Sequence, residues 1–97
     1  MAFENAEEAA HARAAAVVSG DFGTAVSLMT PEALSIAMEL GISNWDYGSY
    51  ELRAKDQDGD DYVFEFTYHS AAGALTLRDR FRYIDGDWKI IDIERLG

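Results

Sequence analysis

The spacing of apolar residues changes once along the chain. Up to residue 41 they recur every three or four positions, as on amphipathic helices. From residue 48 to residue 96 they alternate with polar residues, as on half-buried β-strands. The chain has 97 residues, a length that favours one domain. The sequence therefore predicts a single α+β domain over 1–97, with helices in 1–41 and an antiparallel sheet in 48–96.

Start and stop signals divide the helical part into three helices. The first covers about residues 3–19 and ends at Gly20, since glycine favours the left-handed conformation that follows a helix. Asp21 and Thr30 have side chains that can cap the second and third helices, and Gly41 ends the third. The residues expected to face inward from these two helices are Phe22, Ala25, Val26, Met29, Leu34, Ala37 and Met38.

Four strands are predicted, and each has one mainly apolar face. The first, about residues 48–56, places Tyr50, Leu52 and Ala54 inward and Lys55 outward. The inward positions of the next three strands are Tyr62, Phe64, Phe66 and Tyr68, then Leu75, Leu77, Asp79, Phe81 and Tyr83, then Trp88, Ile90, Asp92 and Glu94. The three helices are expected to cover this aromatic face, with Trp45 and Tyr47 closing one end of the core.

Turn lengths determine which residues face each other across the sheet. Asp85-Gly86 is a strong signal for a two-residue hairpin turn, and residues 70–73 fit a turn of even length. Opposite charges meet in this register, which supports it. The resulting pairs are Phe81 with Ile90, Asp79 with Asp92, Phe64 with Asp79, Glu65 with Arg78, and Asp61 with Arg82.

Charge and cysteine content exclude several classes of function. The net charge is −10, and the first 49 residues contain one basic residue, Arg13, against seven acids. Arg13 is expected on the polar side of the first helix. Nucleic acid and anionic membrane surfaces are therefore poor partners. The absence of cysteine excludes disulfides and thiolate sites and suits a cytoplasmic protein, and no apolar run is long enough to span a membrane.

Asp79 and Asp92 are the candidate catalytic residues. If both carboxylates face one apolar cavity, they cannot both ionise easily, and the pKa of one rises. Such a pair can donate and accept protons near neutral pH. The alternative is structural: both carboxylates are solvated near the end of the sheet, or bonded to backbone amides and tyrosines.

Three short segments, taken in order, resemble one superfamily. They are residues 20–22 (GDF), 28–34 (LMTPEAL) and 85–90 (DGDWKI). The resemblance is to the nuclear-transport-factor-2-like superfamily, a cystatin-like α+β cone with ketosteroid isomerase and polyketide-cyclase-like relatives. It implies a curved sheet wrapped round the first helix, a pocket at the open end of the cone, and dimerisation through the outer sheet face.

The leading functional hypothesis is a small non-catalytic domain that binds a small apolar ligand or acts as a homodimeric scaffold. The predicted ligand-binding residues are Tyr50, Tyr62, Phe64, Phe66, Phe81 and Trp88. The alternative is an acid–base isomerase, dehydratase or cyclase that acts on a small apolar ring through Asp79 and Asp92. A second alternative is a protein-interaction module whose outer sheet face uses Val63, Ile91, Ile93 and Arg80. No metal or cofactor is expected, because no ligand set or nucleotide motif has the required spacing.

Overall fold

The computed structural model describes residues 5–41 and 46–97. The elements are α1 (Ala6–Ser19), α2 (Phe22–Ser27), α3 (Pro31–Leu40), β1 (Tyr47–Asp58), β2 (Asp61–Ser70), β3 (Gly73–Ile84) and β4 (Asp87–Arg95). The strands form one antiparallel sheet in the order β1-β2-β3-β4. The predicted α+β architecture, with N-terminal helices and a curved four-stranded sheet, is confirmed. Within the described residues, no helix combines the length and apolarity needed to cross a membrane.

Polar caps and left-handed glycines set the helix ends. Asn5, Asp21 and Thr30 precede the three helices, and each side chain accepts a hydrogen bond from the backbone N–H three residues further on. Gly20 and Gly41 have φ angles of 78° and 68°, so each adopts the left-handed conformation that ends a helix at little cost for glycine. These predicted signals at residues 20, 21, 30 and 41 are confirmed.

The inward faces of α2 and α3 differ from the prediction. Phe22, Val26 and Met38 are 37%, 41% and 73% exposed, so their assignment to the core was wrong. The residues of α3 that are buried or packed against the core are Ala33, Ile36, Ala37 and Leu40. This face is rotated by about one residue, roughly 100°, from the predicted stripe. Of the two residues predicted to close the core, Tyr47 is buried and Trp45 lies outside the described residues.

The two predicted β-hairpin registers hold near their turns. Across β2 and β3, Glu65 lies opposite Arg78 and Phe64 opposite Asp79, as predicted. Phe81 likewise lies opposite Ile90. The turn between β3 and β4 has positive φ at both central residues, 50° at Asp85 and 87° at Gly86, which is the type I′ geometry that fits the twist of adjacent strands.

Two β-bulges overturn the predicted faces further along β1 and β4. In β1 the register shifts between Leu52 and Ala54, so Lys55, predicted to face outward, lies opposite Phe64 of the inner face. In β4 the register shifts at Ile91. A bulge adds one unpaired residue and reverses the alternation beyond it.

The β4 bulge separates the predicted aspartate pair. Asp79 lies opposite Ile93, whereas Asp92 lies opposite Arg80. The predicted pairing of Asp79 with Asp92 is therefore wrong. The bulge places Ile93, 4% exposed, in the core and leaves Asp92 exposed, which is favourable because burying isoleucine stabilises the fold whereas burying a carboxylate destabilises it.

The helices and the sheet enclose one core. Helix α1 contacts β1, β2 and β3, and its buried residues are mainly alanines, which let the helix backbone lie close to the aromatic side chains of the sheet. The segment before α3 also pairs with the edge strand β4. Thr30 N–H donates to Ile90 O at 3.0 Å, and Ile90 N–H donates to Leu28 O at 2.7 Å.

Candidate functional site

Arg13 of α1 forms a buried hydrogen-bond network with the sheet. Its Nη1 donates to the hydroxyl of Tyr68 at 2.6 Å and to Oδ2 of Asp79 at 3.1 Å. Arg13 and Tyr68 are 0% exposed and Asp79 is 1% exposed. The inward acid noticed in the sequence is therefore paired with a base from the helix, and this pair is held in the interior of the protein.

Burial and charge act in opposite directions on this network. Burial raises the pKa of the Asp79 carboxyl, and the Arg13 guanidinium opposes that rise. Burial disfavours charged Arg13, but Asp79 and Tyr68 hold the pKa of Arg13 above its ordinary value. Burial also raises the pKa of the Tyr68 hydroxyl. Arg13 therefore stays charged, and Asp79 is more readily protonated than an exposed aspartate.

The position of Arg13 is the main feature that the sequence prediction missed. The prediction placed Arg13 on the polar side of α1, and the structure places it on the buried side. The spacing contained the signal, because Arg13 follows the buried Ala9 and Ala10 by four and three residues. Its charge argued against that position, and the charge is compensated by Asp79, which is distant in sequence.

A large cleft lies beside the start of α1, between that helix and the inner face of the sheet. Its volume is about 910 Å³, and Tyr62, Phe64 and Trp88 are the aromatic residues that line it. Tyr62 and Trp88 pack edge to face with ring centroids 5.4 Å apart. Trp88 Nε1 is buried and has no hydrogen-bond partner among the described residues. We call this cavity the open-end cleft.

Polar side chains from α1 and β1 form another part of the same lining. Lys55 Nζ donates to Glu7 Oε1 at 3.0 Å, a contact that exists because the β1 bulge turns Lys55 towards the helix. His11 also lines the cleft, and its Nδ1 lies 3.2 Å from the Tyr50 hydroxyl. The remaining polar lining residues are Asn5, Glu8, Asp56 and Gln57, so the open-end cleft combines an aromatic wall with polar and acidic side chains that can hydrogen-bond a ligand.

The predicted ligand-binding residues fall into three groups. Tyr62, Phe64 and Trp88 line the open-end cleft. Tyr50 contacts His11 beside it. Phe66 and Phe81 are each 0% exposed and belong to the core behind the cleft. Asp79 lines neither this cleft nor the second cavity described below.

The predicted interface residues are also separated. Val63 and Arg80 lie opposite each other on the outer face, and Ile91 is the extra residue of the β4 bulge. Ile93 is buried in the core, so its assignment to the outer face was wrong.

The arginines of the outer face are all paired with acids. Arg78 bonds to Glu65 and Glu94, and the Asp61 carboxylate accepts hydrogen bonds from Arg80 and Arg82. These basic residues therefore form no uncompensated positive patch of the kind that binds nucleic acid. Within residues 5–41 and 46–97, no group of three or more His, Cys, Asp or Glu residues is arranged to hold a metal ion.

Solved structures share this arrangement of helices and strands. A DUF4783 family protein from Bacteroides ovatus superposes with a TM-score of 0.71 at 9% identity, over 87% of this chain and 90% of that chain. An NTF2-like protein of unknown function from Cytophaga hutchinsonii gives a TM-score of 0.61 at 8% identity, over 95% and 90%. Another, from Burkholderia xenovorans, gives 0.64 at 13% identity, over 93% and 80%. The chain has the NTF2-like fold.

The similarity extends to the fold and no further. The chain matches no protein-family model and no curated protein. The solved structures confirm the fold that the resemblance of the three sequence segments implied. Because one fold supports many unrelated functions, function has to be argued from the site itself.

Proposed function

We propose that this protein is a small non-catalytic domain that binds a small, mostly apolar molecule in the open-end cleft. The observation that carries the proposal is the cleft of about 910 Å³ with an aromatic wall of Tyr62, Phe64 and Trp88. Sites for small molecules are concave, largely apolar and supplied with a few polar groups. The absence of cysteine suits action in the cytoplasm.

The polar groups of the cleft indicate the kind of ligand. Trp88 Nε1 is a buried donor without a partner among the described residues, and His11 and Lys55 supply polar atoms nearby. A buried donor without an acceptor costs about 1–3 kcal/mol. A ring compound with one hydroxyl or carbonyl oxygen would bury its ring against the aromatic wall and place that oxygen near these polar groups.

The test is a titration with 2-naphthol, followed by protein NMR. We expect saturable binding and shifts centred on Trp88 and Tyr62. Tyr62→Ala removes part of the wall and should weaken binding at least tenfold. Tyr83→Ala is the matched control, because Tyr83 also packs against Trp88 but lies outside the lining and is 55% exposed. If 2-naphthol fails to bind, or if both variants lose affinity equally, the cleft is not the site.

The acid–base alternative required the Asp79 and Asp92 carboxylates to face each other. Asp92 is exposed and faces Arg80, while Asp79 faces Ile93, so the two carboxylates do not form a proton-transfer pair. The chemistry proposed for that pair therefore has no structural support.

A homodimer through the outer sheet face is the second candidate. It is supported by Val63, an apolar residue that is only partly buried and lines a surface groove of about 320 Å³ with Glu65, Arg78 and Arg80. Light scattering coupled to size-exclusion chromatography measures the oligomeric state. We expect a dimer that Val63→Asp dissociates and Ala71→Asp, in the β2–β3 turn, does not. A monomer at micromolar concentration would contradict this proposal and leave ligand binding untouched.

A further inference from the structure

A second cavity lies among the three helices. It has a volume of about 340 Å³ and is lined by residues of all three helices and the α2–α3 connection. Its lining residues are Arg13, Val17, Phe22, Ala25, Val26, Met29, Leu34, Ala37 and Met38. Arg13 is the only charged residue in this described lining, and the other eight are apolar. We call this cavity the helical cleft.

The outer part of the helical cleft exposes apolar surface. Phe22, Val26 and Met38 are 37%, 41% and 73% exposed, although the sequence pattern predicts them in the core. Exposed apolar side chains grouped around a concavity are typical of a binding site. The cleft therefore offers an apolar wall that the chain does not cover within its described residues.

Arg13 lines this cavity and has unused hydrogen-bond donors, but it is 0% exposed, so a ligand reaches those donors only after the side chains that cover Arg13 shift. Its Nη1 serves both Tyr68 and Asp79, whereas Nε and Nη2 are buried and have no partner among the described residues. Nε and Nη2 form one edge of the planar guanidinium. That edge matches the two oxygens of a carboxylate and binds them through two parallel hydrogen bonds.

We propose that the helical cleft binds a small aliphatic monocarboxylate. Its carboxylate would accept hydrogen bonds from Nε and Nη2 of Arg13, and its chain would pack among Val26, Met29, Leu34 and Met38. A chain of about eight carbons suits a cavity of about 340 Å³. This proposal rests on residues that do not line the open-end cleft, so it stands or falls separately from the proposed function.

The charges of the network allow such a ligand. Arg13 and Asp79 neutralise each other, so a bound carboxylate adds one negative charge next to a buried acid. Burial already makes Asp79 easier to protonate, and a proton on Asp79 would restore neutrality. Tyr68 also accepts a hydrogen bond from Arg13 and keeps the guanidinium in place while the ligand binds.

The decisive measurement is NMR titration of the ¹⁵N-labelled protein with octanoate and, separately, with 1-octanol. We expect octanoate to bind saturably and shift the Arg13 Nε–H resonance, and we expect 1-octanol to bind at least tenfold more weakly. An Arg13 Nε–H resonance that does not move, or equal affinities for the two probes, would overturn the proposal. Both comparisons use the unaltered protein.

Two variants locate the site. Ala37→Phe fills the helical cleft without removing Arg13 and should weaken octanoate binding at least tenfold. Ala15→Phe adds the same side chain at an exposed position of α1 and should leave affinity unchanged. If Ala37→Phe folds and binds octanoate as the unaltered protein does, the ligand lies elsewhere. If it does not fold, the comparison of octanoate with 1-octanol still decides the outcome.

Discussion

At the scale of single residues, the pair of Arg13 and Asp79 is the one ion pair among the described residues in which both side chains are buried. Two charges in the interior lose their hydration, and their mutual contact, together with the hydrogen bond from Arg13 to Tyr68, compensates for that loss. The contact is 3.1 Å long, and the side chains are 0% and 1% exposed. Removing one partner leaves the other charge buried and unpaired, whereas removing both leaves an apolar site that can pack.

We therefore expect a strongly non-additive mutant cycle. Asp79→Leu and Arg13→Met should each lower the free energy of unfolding by ~3–5 kcal/mol. The double variant should lose much less than the sum of the two, because no charge remains unpaired. Urea unfolding of the four proteins measures the coupling. Additive losses would show that the two side chains do not interact as the structure indicates.

Asp61 gives the residue-scale prediction for pH dependence. Its carboxylate accepts two hydrogen bonds from Arg82 and one from Arg80. The bond from Arg82 is the largest cause that lowers the pKa of Asp61 from 3.8 to about 2. Because the pKa in the folded state lies below that in the unfolded state, this stabilisation is fully present above about pH 4 and is lost as the pH falls towards 2.

Asp61→Asn should accordingly lower the free energy of unfolding by ~1–2 kcal/mol at pH 7. The difference from the unaltered protein should shrink between about pH 4 and pH 2, where the Asp61 carboxylate becomes protonated. Asp85→Asn is the control, since Asp85 is an exposed turn residue and Asn also tolerates a positive φ. A stability difference for Asp61→Asn that stays constant from pH 7 to pH 2 would argue against this role.

At the scale of elements, Thr30 links α3 to the edge of the sheet. Its Oγ1 accepts a hydrogen bond from Ala33 N–H and donates one to Ile90 O, both at 3.2 Å. The hydroxyl thus caps the helix and also contacts β4 at the point where residues 28–30 pair with it. The same hydroxyl therefore stabilises the start of α3 and its attachment to the sheet.

Thr30→Ala should lower the free energy of unfolding by ~1–2 kcal/mol, as the loss of a helix cap usually does. Thr30→Ser retains the hydroxyl and should cost clearly less. Thermal unfolding followed by circular dichroism compares the two variants. Equal losses for Ala and Ser would assign the effect to the Thr30 methyl group and not to the cap.

The elements also show where prediction from sequence succeeds and where it stops. Helix ends and turns can be predicted from local residues: Gly20 ends α1, Thr30 precedes α3, and Asp85-Gly86 forms a type I′ turn. The bulges at Arg53 and Ile91 could not be predicted in this way, because the alternation of apolar and polar residues looks equally regular on both sides of a bulge. One signal was present in β4: keeping the alternation buries Asp92 and exposes Ile93, and a bulge avoids both penalties.

Part of the candidate site could be predicted from the sequence, because that part also depends on local patterns. The aromatic wall of the open-end cleft comes from alternation within β2 and from the hairpin register of β4, and both are local. The network of Arg13, Tyr68 and Asp79 joins residues 55 and 66 positions apart. No local pattern indicates that a helix arginine will meet an acid of the third strand, so this part of the site required the three-dimensional structure.

At the scale of the whole molecule, charge is unevenly distributed. The net charge is −10, and the outer-face arginines are already paired with acids. The helical half has Arg13 as its single base, and that residue is buried with Asp79. The exposed acids of the helices, such as Glu32 and Glu39, therefore repel one another with little compensation.

We expect salt to stabilise this protein, because screening of repulsion outweighs screening of exposed ion pairs, which contribute little individually. The melting temperature should rise between about 20 mM and about 300 mM NaCl, a range over which the Debye length falls from about 20 Å to about 6 Å.

Glu39→Gln should raise stability at low salt by roughly 0.3–1 kcal/mol, since Glu39 lies in the last turn of α3 where the helix dipole disfavours an acid. It should also reduce the response to salt. Glu94→Gln is the matched control: it removes the same charge but breaks a 2.8 Å ion pair with Arg78, so we expect no gain. A melting temperature that falls as salt is added would mean that the outer-face ion pairs, and not the repulsion among the helix acids, dominate the electrostatic free energy of folding.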